Sequence, residues 1–113
     1  KLLENDVQGA REVADDAMAA APFHPAVWFA NGEVFRREKH DDTALEAYAK
    51  AVEYDASYSA ARLAYAEALA KKGGDALPKA LAQYQALLAI DQNEGETSRV
   101  EKTITALKKQ LAQ

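Results

Sequence analysis

Between Trp28 and Ala56, apolar and small residues return every three or four positions: Trp28, Gly32 and Phe35 in one set, Ala44, Tyr48 and Ala51 in the next. That step marks one face of a helix. The polar run Lys39-His40-Asp41-Asp42 separates the sets, so the spacing predicts helices over 26–38 and 42–54 joined by a tight turn. Small residues stand where the two backbones must approach closely. Thr43 and Glu46, three apart at the second start, predict a capping box.

The pattern recurs along the chain. A shift back by about 34 residues carries Ala44, Ala51 and Ala56 onto Ala10, Ala17 and Pro22. Residues 7–21 then read as the second helix of an earlier unit. Asn5-Asp6 becomes its inner turn, and Lys1-Leu2-Leu3 the end of its first helix. Pro22 and Pro25 argue against a continuous helix across that junction. The forward shift predicts a helix over 60–72, with Ala66 in the place of Gly32, Leu69 in the place of Phe35 and Arg62 in the place of Trp28. Gly73-Gly74 stops it, and Pro78 suits the first turn of the next helix. Ala80 and Tyr84 repeat Ala44 and Tyr48 after a slightly longer turn, and Gln92 stands where a further proline would fall. Val100, Ile104, Leu107 and Leu111 then form a single apolar stripe on an otherwise polar segment, as expected of a helix that closes an open stack.

Trp28, Gly32 and Phe35 followed by Ala44 and Tyr48 resemble the tetratricopeptide repeat, whose pattern is W-x2-L-G-x2-Y, then A-x3-F, then P. The chain departs from it at Asn31, where the pattern has Leu, and at Ala56, where it has Pro. The resemblance implies an all-α fold, a right-handed α-solenoid of antiparallel helix pairs with a C-terminal capping helix. It divides a single domain into the second part of a repeat (1–24), two full repeats (25–58 and 59–94) and the cap (95–113). The structural repeat positions are then Trp28, Gly32, Phe35, Ala44, Tyr48, Ala51, Ala66, Leu69, Ala80 and Tyr84, with Trp28 and Phe35 as the anchors. By the same phase the chain opens in the middle of a repeat, so it is expected to be a piece of a longer array. The face carrying Val13, Ala14 and Met18 is then expected to lack cover, which a parent chain or a second copy would supply.

Composition agrees with a folded helical chain. Of 113 residues, 49% are hydrophobic and 28% charged, outside the range of disordered segments. Alanine, the best helix former, is abundant, and its abundance points to a bacterial source. There is no cysteine, which excludes disulfides and thiolate metal sites. No apolar run approaches the roughly 20 residues of a membrane helix, and no signal peptide is visible. A soluble protein of the cytoplasm or periplasm is expected. The net charge of -4 and pI near 5.2 weigh against nucleic acid, which favours basic surfaces.

Catalysis has little to work with. His24 lies between prolines, and His40 beside Glu38, Asp41 and Asp42 reads as a hydrated turn rather than a metal site. Ser57, Ser59 and Ser98 have no evident base, and no nucleophile elbow or phosphate loop is present. No catalytic residue, metal or cofactor is expected, and the chain is not read as an enzyme.

The resemblance implies instead a protein–protein interaction scaffold. In the family, the first helices of successive repeats line a concave groove that holds partner peptides or helices. Carried over, the groove would show Ala26, Phe29, Ala30, Glu33, Arg36 and Arg37 from one repeat and Ala60, Leu63, Ala64, Glu67, Ala70 and Lys71 from the next. Phe29 with Leu63 makes an apolar row, Glu33 with Glu67 an acidic one, Arg37 with Lys71 a basic one. The charged rows are equally i,i+4 pairs within one helix, each stabilising it by roughly 0.2–0.5 kcal/mol. Phe29 reads either as a groove contact or as a side chain tucked between helices. Family members that grip acidic C-terminal peptides use Lys, Asn and Arg where this chain has Ala30, Ala60 and Ala64, so that clamp is absent. A partner with apolar residues and some positive charge is expected. The other reading is a structural module that self-associates through the uncovered N-terminal helix face.

Overall fold

The computed structural model describes residues 4–90 and 94–113. Among the described residues six α-helices run in order: α1 Glu4–Ala20, α2 Pro25–Arg37, α3 Asp41–Tyr54, α4 Ser59–Lys72, α5 Leu77–Ile90 and α6 Glu94–Leu111. No strand occurs among the described residues. The chain divides into two compact units, Lys1–Tyr58 and Ser59–Gln113.

In the first unit, α1 packs on α2 and α2 on α3. Pro25 opens α2 in the position where its missing N–H costs nothing, and the His24 ring accepts a hydrogen bond from the Ala26 amide at 3.1 Å. The helix ends on Arg36 and Arg37, charges that suit a C-terminus. Lys39 then takes a left-handed conformation (φ 65°), and the His40 amide bonds back to the Phe35 carbonyl at 2.9 Å. This is the reversal usually given to glycine. It restarts the chain early, so α3 begins at Asp41 with two acids in its first turn. Thr43 therefore lies inside the helix, and the expected capping box does not form: His40 occupies the cap and makes no side-chain bond there. At the far end of α3 the Asp55 carboxylate accepts from the Ser57 amide and hydroxyl, at 3.0 and 2.8 Å. That Asx turn breaks the helix, which explains why Ala56 can stand where the repeat pattern has proline.

Tyr48, Ala44, Ala47 and Ala51 on α3 are buried, together with Asn31, Gly32 and Val34 of α2. An alanine at each crossing lets the backbones come close, and burial of the remaining apolar area supplies the driving force. Trp28 and Phe35, expected as anchors, are only half-buried. The indole is held at the end of α2, and the Phe35 ring carries the Arg11 guanidinium 4.2 Å from its centroid.

In the second unit, α4 packs on α5 and α5 on α6. Gly73 and Gly74 both have positive φ, 72° and 53°, which L-residues other than glycine rarely adopt. A single 3₁₀ turn, Gly74–Ala76, then leads into α5. Ala61, Ala66, Leu69, Ala80, Tyr84 and Leu87 form the core with Val100, Ile104 and Leu107 of α6.

Three expectations are corrected. Asn5 and Asp6 lie within α1, not in a turn, because nothing between Glu4 and Ala20 interrupts the helix. Ala14 is buried against α2 rather than uncovered. Leu111, assigned to the stripe of α6, is exposed at 38%, since it falls at the last helical residue. Lys1-Leu2-Leu3 and Gln92 lie outside the described residues.

Candidate binding surface

On α2, the 3.6-residue period places Ala26, Phe29, Ala30, Glu33, Arg36 and Arg37 along one side. Ala26, Ala30, Arg36 and Arg37 are exposed, while Phe29 and Glu33 are half-buried. The Phe29 ring stands between two tyrosines, 6.0 Å from Tyr48 and 5.5 Å from Tyr58, tilted to both. It therefore belongs in part to the packing and in part to the surface. Tyr48 is brought under this face by Gly32. A Cβ on Gly32 would lie 2.6 Å from the Tyr48 ring, so only glycine lets the ring lie flat on the helix.

The buried ring ends in a polar group. The Tyr48 hydroxyl donates to Glu33 Oε1 at 2.6 Å, and Arg36 Nη2 donates to Glu33 Oε2 at 3.0 Å. Burial and then the Glu33 carboxylate push the Tyr48 phenol far above its ordinary 10.0. Burial by itself would raise the Glu33 carboxyl. The bonds from Arg36 and Tyr48 outweigh it and hold the group below its ordinary 4.5. Glu33 thus pairs with Arg36 at i,i+3, one residue before the Arg37 partner that the sequence pattern implies. Glu33 in turn raises the pKa of the Arg36 guanidinium, and half of the Arg36 side chain remains in solvent (53%).

The second unit repeats the chemistry on α4. Ala60, Glu67 and Lys71 are exposed and Leu63, Ala64 and Ala70 half-buried. Tyr84, buried on α5, has its phenol raised by burial and by the nearby Glu67 charge. A tyrosine under a surface glutamate is thus common to both units.

Sequence reasoning missed a second set of residues. Arg11 of α1 reaches α2 and grips Glu38 with two nitrogens, at 3.2 and 2.9 Å, while also donating to Asp15 at 2.8 Å and to Asn31 at 3.1 Å. Asn31 is buried, and its amide nitrogen donates to the carbonyls of Ala14 and Val27 at 3.2 and 3.0 Å. The departure from the repeat pattern at Asn31 is therefore satisfied, as a buried amide must be. The Arg11 guanidinium holds the Glu38 carboxyl below its usual range. The signal was Asn31 itself, a polar residue where the pattern has leucine; nothing in the sequence pointed to Tyr58. Among the described residues no cluster of three or more histidines or acids is placed to hold a metal ion. No helix among them is long and apolar enough to cross a membrane.

All-α pairs built on small residues at the crossings, with glycine under an aromatic ring, define a helical-repeat protein, and the fold is that of the tetratricopeptide repeat. A solved structure of the first tetratricopeptide domain of Spaghetti (RPAP3), bound to the HSP90 peptide SRMEEVD, superposes with a TM-score of 0.81 at 20% identity over 97% of this chain and 83% of that one. The type III secretion translocator chaperone SycD of Yersinia enterocolitica is similar too, with a TM-score of 0.76 at 14% identity over 100% of this chain and 90% of its own. No family model and no curated protein matches the sequence.

Proposed function

We propose that the chain is a protein-interaction scaffold that holds a peptide or helix of another protein against the exposed face of α2. The observation that carries this reading is the α2 face, where the half-open Phe29 ring, braced by Tyr48 and Tyr58, lies beside two small exposed residues and a charge pair. Rigid aromatic surface with low ordering cost is what binding hot spots use. Ala26 and Ala30 leave room for a partner backbone. Both similar structures support the reading, since one is a domain with a bound peptide and the other a chaperone.

The partner is one with an apolar side chain for Phe29 and some positive charge; Leu63 offers the same kind of contact on α4 within its own unit. Each Glu33 oxygen already accepts one bond, but a carboxylate offers about four acceptor positions, so two remain. Ala30, Ala60 and Ala64 supply no donors for an acidic tail like that of the HSP90 peptide. Selection from a displayed random-peptide library tests this. Peptides that pair an apolar residue with lysine or arginine should be enriched, and they should shift the amide resonances of α2. Ala30→Arg, at an exposed helical position, should abolish binding with helicity unchanged. Enrichment of acidic peptides, or binding indifferent to that substitution, would refute the proposal.

Self-association through α1 is the second reading, favoured by Val13, which is 69% exposed on that helix. Light scattering over a concentration series should then report a dimer that Val13→Lys dissolves. A monomer throughout removes this reading.

A further inference from the structure

We infer that unit one carries a second docking surface, around Trp28, for a basic amphipathic segment of a partner protein. An open depression of about 370 Å³ lies between α2 and α3, lined by Trp28, Glu46, Ala49, Lys50 and Glu53. Its walls are mostly apolar, and its volume falls in the range of ligand-binding clefts, about 300–1,000 Å³. The floor is braced by contacts within the unit. The indole N–H donates to the Pro22 carbonyl at 2.6 Å, and the ring rests against Tyr54, 6.4 Å between centroids. Tyr54 in turn meets Phe23 edge-on at 6.1 Å, and Phe23 is 75% exposed. Three joined aromatic rings, one of them three-quarters exposed, exceed what the packing of α2 on α3 requires. A preformed floor lowers the ordering cost of binding.

The rim selects the occupant. Glu46, Lys50 and Glu53 stand at helical spacing along α3 beside the floor, so acids outnumber bases there. The single ammonium is turned inward, 3.6 Å from Glu53 and 5.8 Å from the Tyr54 centroid. A segment that sets an apolar side chain on Trp28, with lysine or arginine a helical turn away, would match both floor and rim. An acidic segment would meet repulsion. The surface is distinct from the α2 face of the previous section, because Trp28 and Phe29 are successive residues and so point about 100° apart around the helix.

Trp28 is the chain's single tryptophan, which makes its fluorescence a reporter of occupancy. The full chain is titrated with a Leu/Lys amphipathic helical peptide and with its Leu/Glu counterpart. The expected result is a saturable change in Trp28 emission with the first and none with the second. The double variant Glu46→Lys/Glu53→Lys, at two exposed positions, should weaken the response about ten-fold, whereas Ala30→Arg leaves it unchanged. Equal response to both peptides, no response, or a response that survives the double charge reversal overturns the inference. Loss in Ala30→Arg alone would place the peptide on the α2 face and likewise overturn it. An emission change with protein concentration alone would name a second copy as the occupant and exclude the basic segment.

Discussion

Glycine is placed twice in the first unit with opposite consequences, and one substitution separates them. At Gly32 a methyl group would meet the Tyr48 ring at 2.6 and 2.7 Å, and the ring cannot swing away because its hydroxyl is tied to Glu33. Overpacking of this kind costs typically about 1–3 kcal/mol, against a helix-propensity gain of at most about 1 kcal/mol. Gly32→Ala is therefore expected to lower stability in urea unfolding. Gly9 sits exposed in α1 with nothing within 4 Å of an added Cβ, so Gly9→Ala should raise stability by about 0.5–1 kcal/mol. If both shift the midpoint in the same direction, the close approach at Gly32 is wrong. Tyr48 gives a second prediction. Its phenol is raised in the fold, so the stability it contributes is fully present below the ordinary value near 10 and is lost as pH climbs above it. Tyr48→Phe should remove part of that alkaline loss. At neutral pH it should cost about 1 kcal/mol, the net worth of one hydrogen bond. Chemical unfolding at pH 7 and pH 10.5 in both proteins measures the two effects.

At the level of elements, the joint between α1 and α2 depends on Arg11, which joins Glu38, Asp15 and Asn31 in one network. Arg11→Met and Glu38→Gln should each destabilise. Because they share a bond, the double variant should lose less than the sum, with a coupling of about 1–2 kcal/mol. Glu38 has its carboxyl lowered by Arg11. Its contribution is therefore complete above the ordinary carboxylate value and disappears as pH falls through the lowered one. The acid limb of the stability profile should flatten in Arg11→Met, and an unchanged limb would show that the pair does not hold the helices together. Helix order and the junctions at Pro22, Gly73 and Pro78 were legible in the sequence because period and punctuation are local properties. The Lys39 reversal was not, since lysine carries no signal for a positive φ, and the misplaced capping box followed from it. The α2 face was legible as a row of residues. Its true pairing, Glu33 with Arg36 and Tyr48, was not, because Tyr48 lies fifteen residues away and reaches the carboxylate only once Gly32 admits its ring. Arg11 was invisible for the same reason: its partner Glu38 caps the end of the next helix.

For the molecule as a whole, each closely packed helix pair joins sequence neighbours: α1 with α2, α2 with α3, α4 with α5 and α5 with α6. Native contacts of that kind close short loops, so little chain entropy is lost before packing begins to compensate. Helical proteins rich in local contacts fold in roughly microseconds to milliseconds, and the main refolding phase here should fall in that range. Pro22, Pro25 and Pro78 isomerise in the unfolded chain and should add only a minor phase of about tens of seconds, which a prolyl isomerase accelerates. Temperature-jump relaxation combined with manual-mixing refolding separates the two. A dominant phase of seconds that prolyl isomerase leaves untouched would mean that folding waits on contacts between distant parts of the chain, and the reading of each helix as packed by its sequence neighbours would then fail.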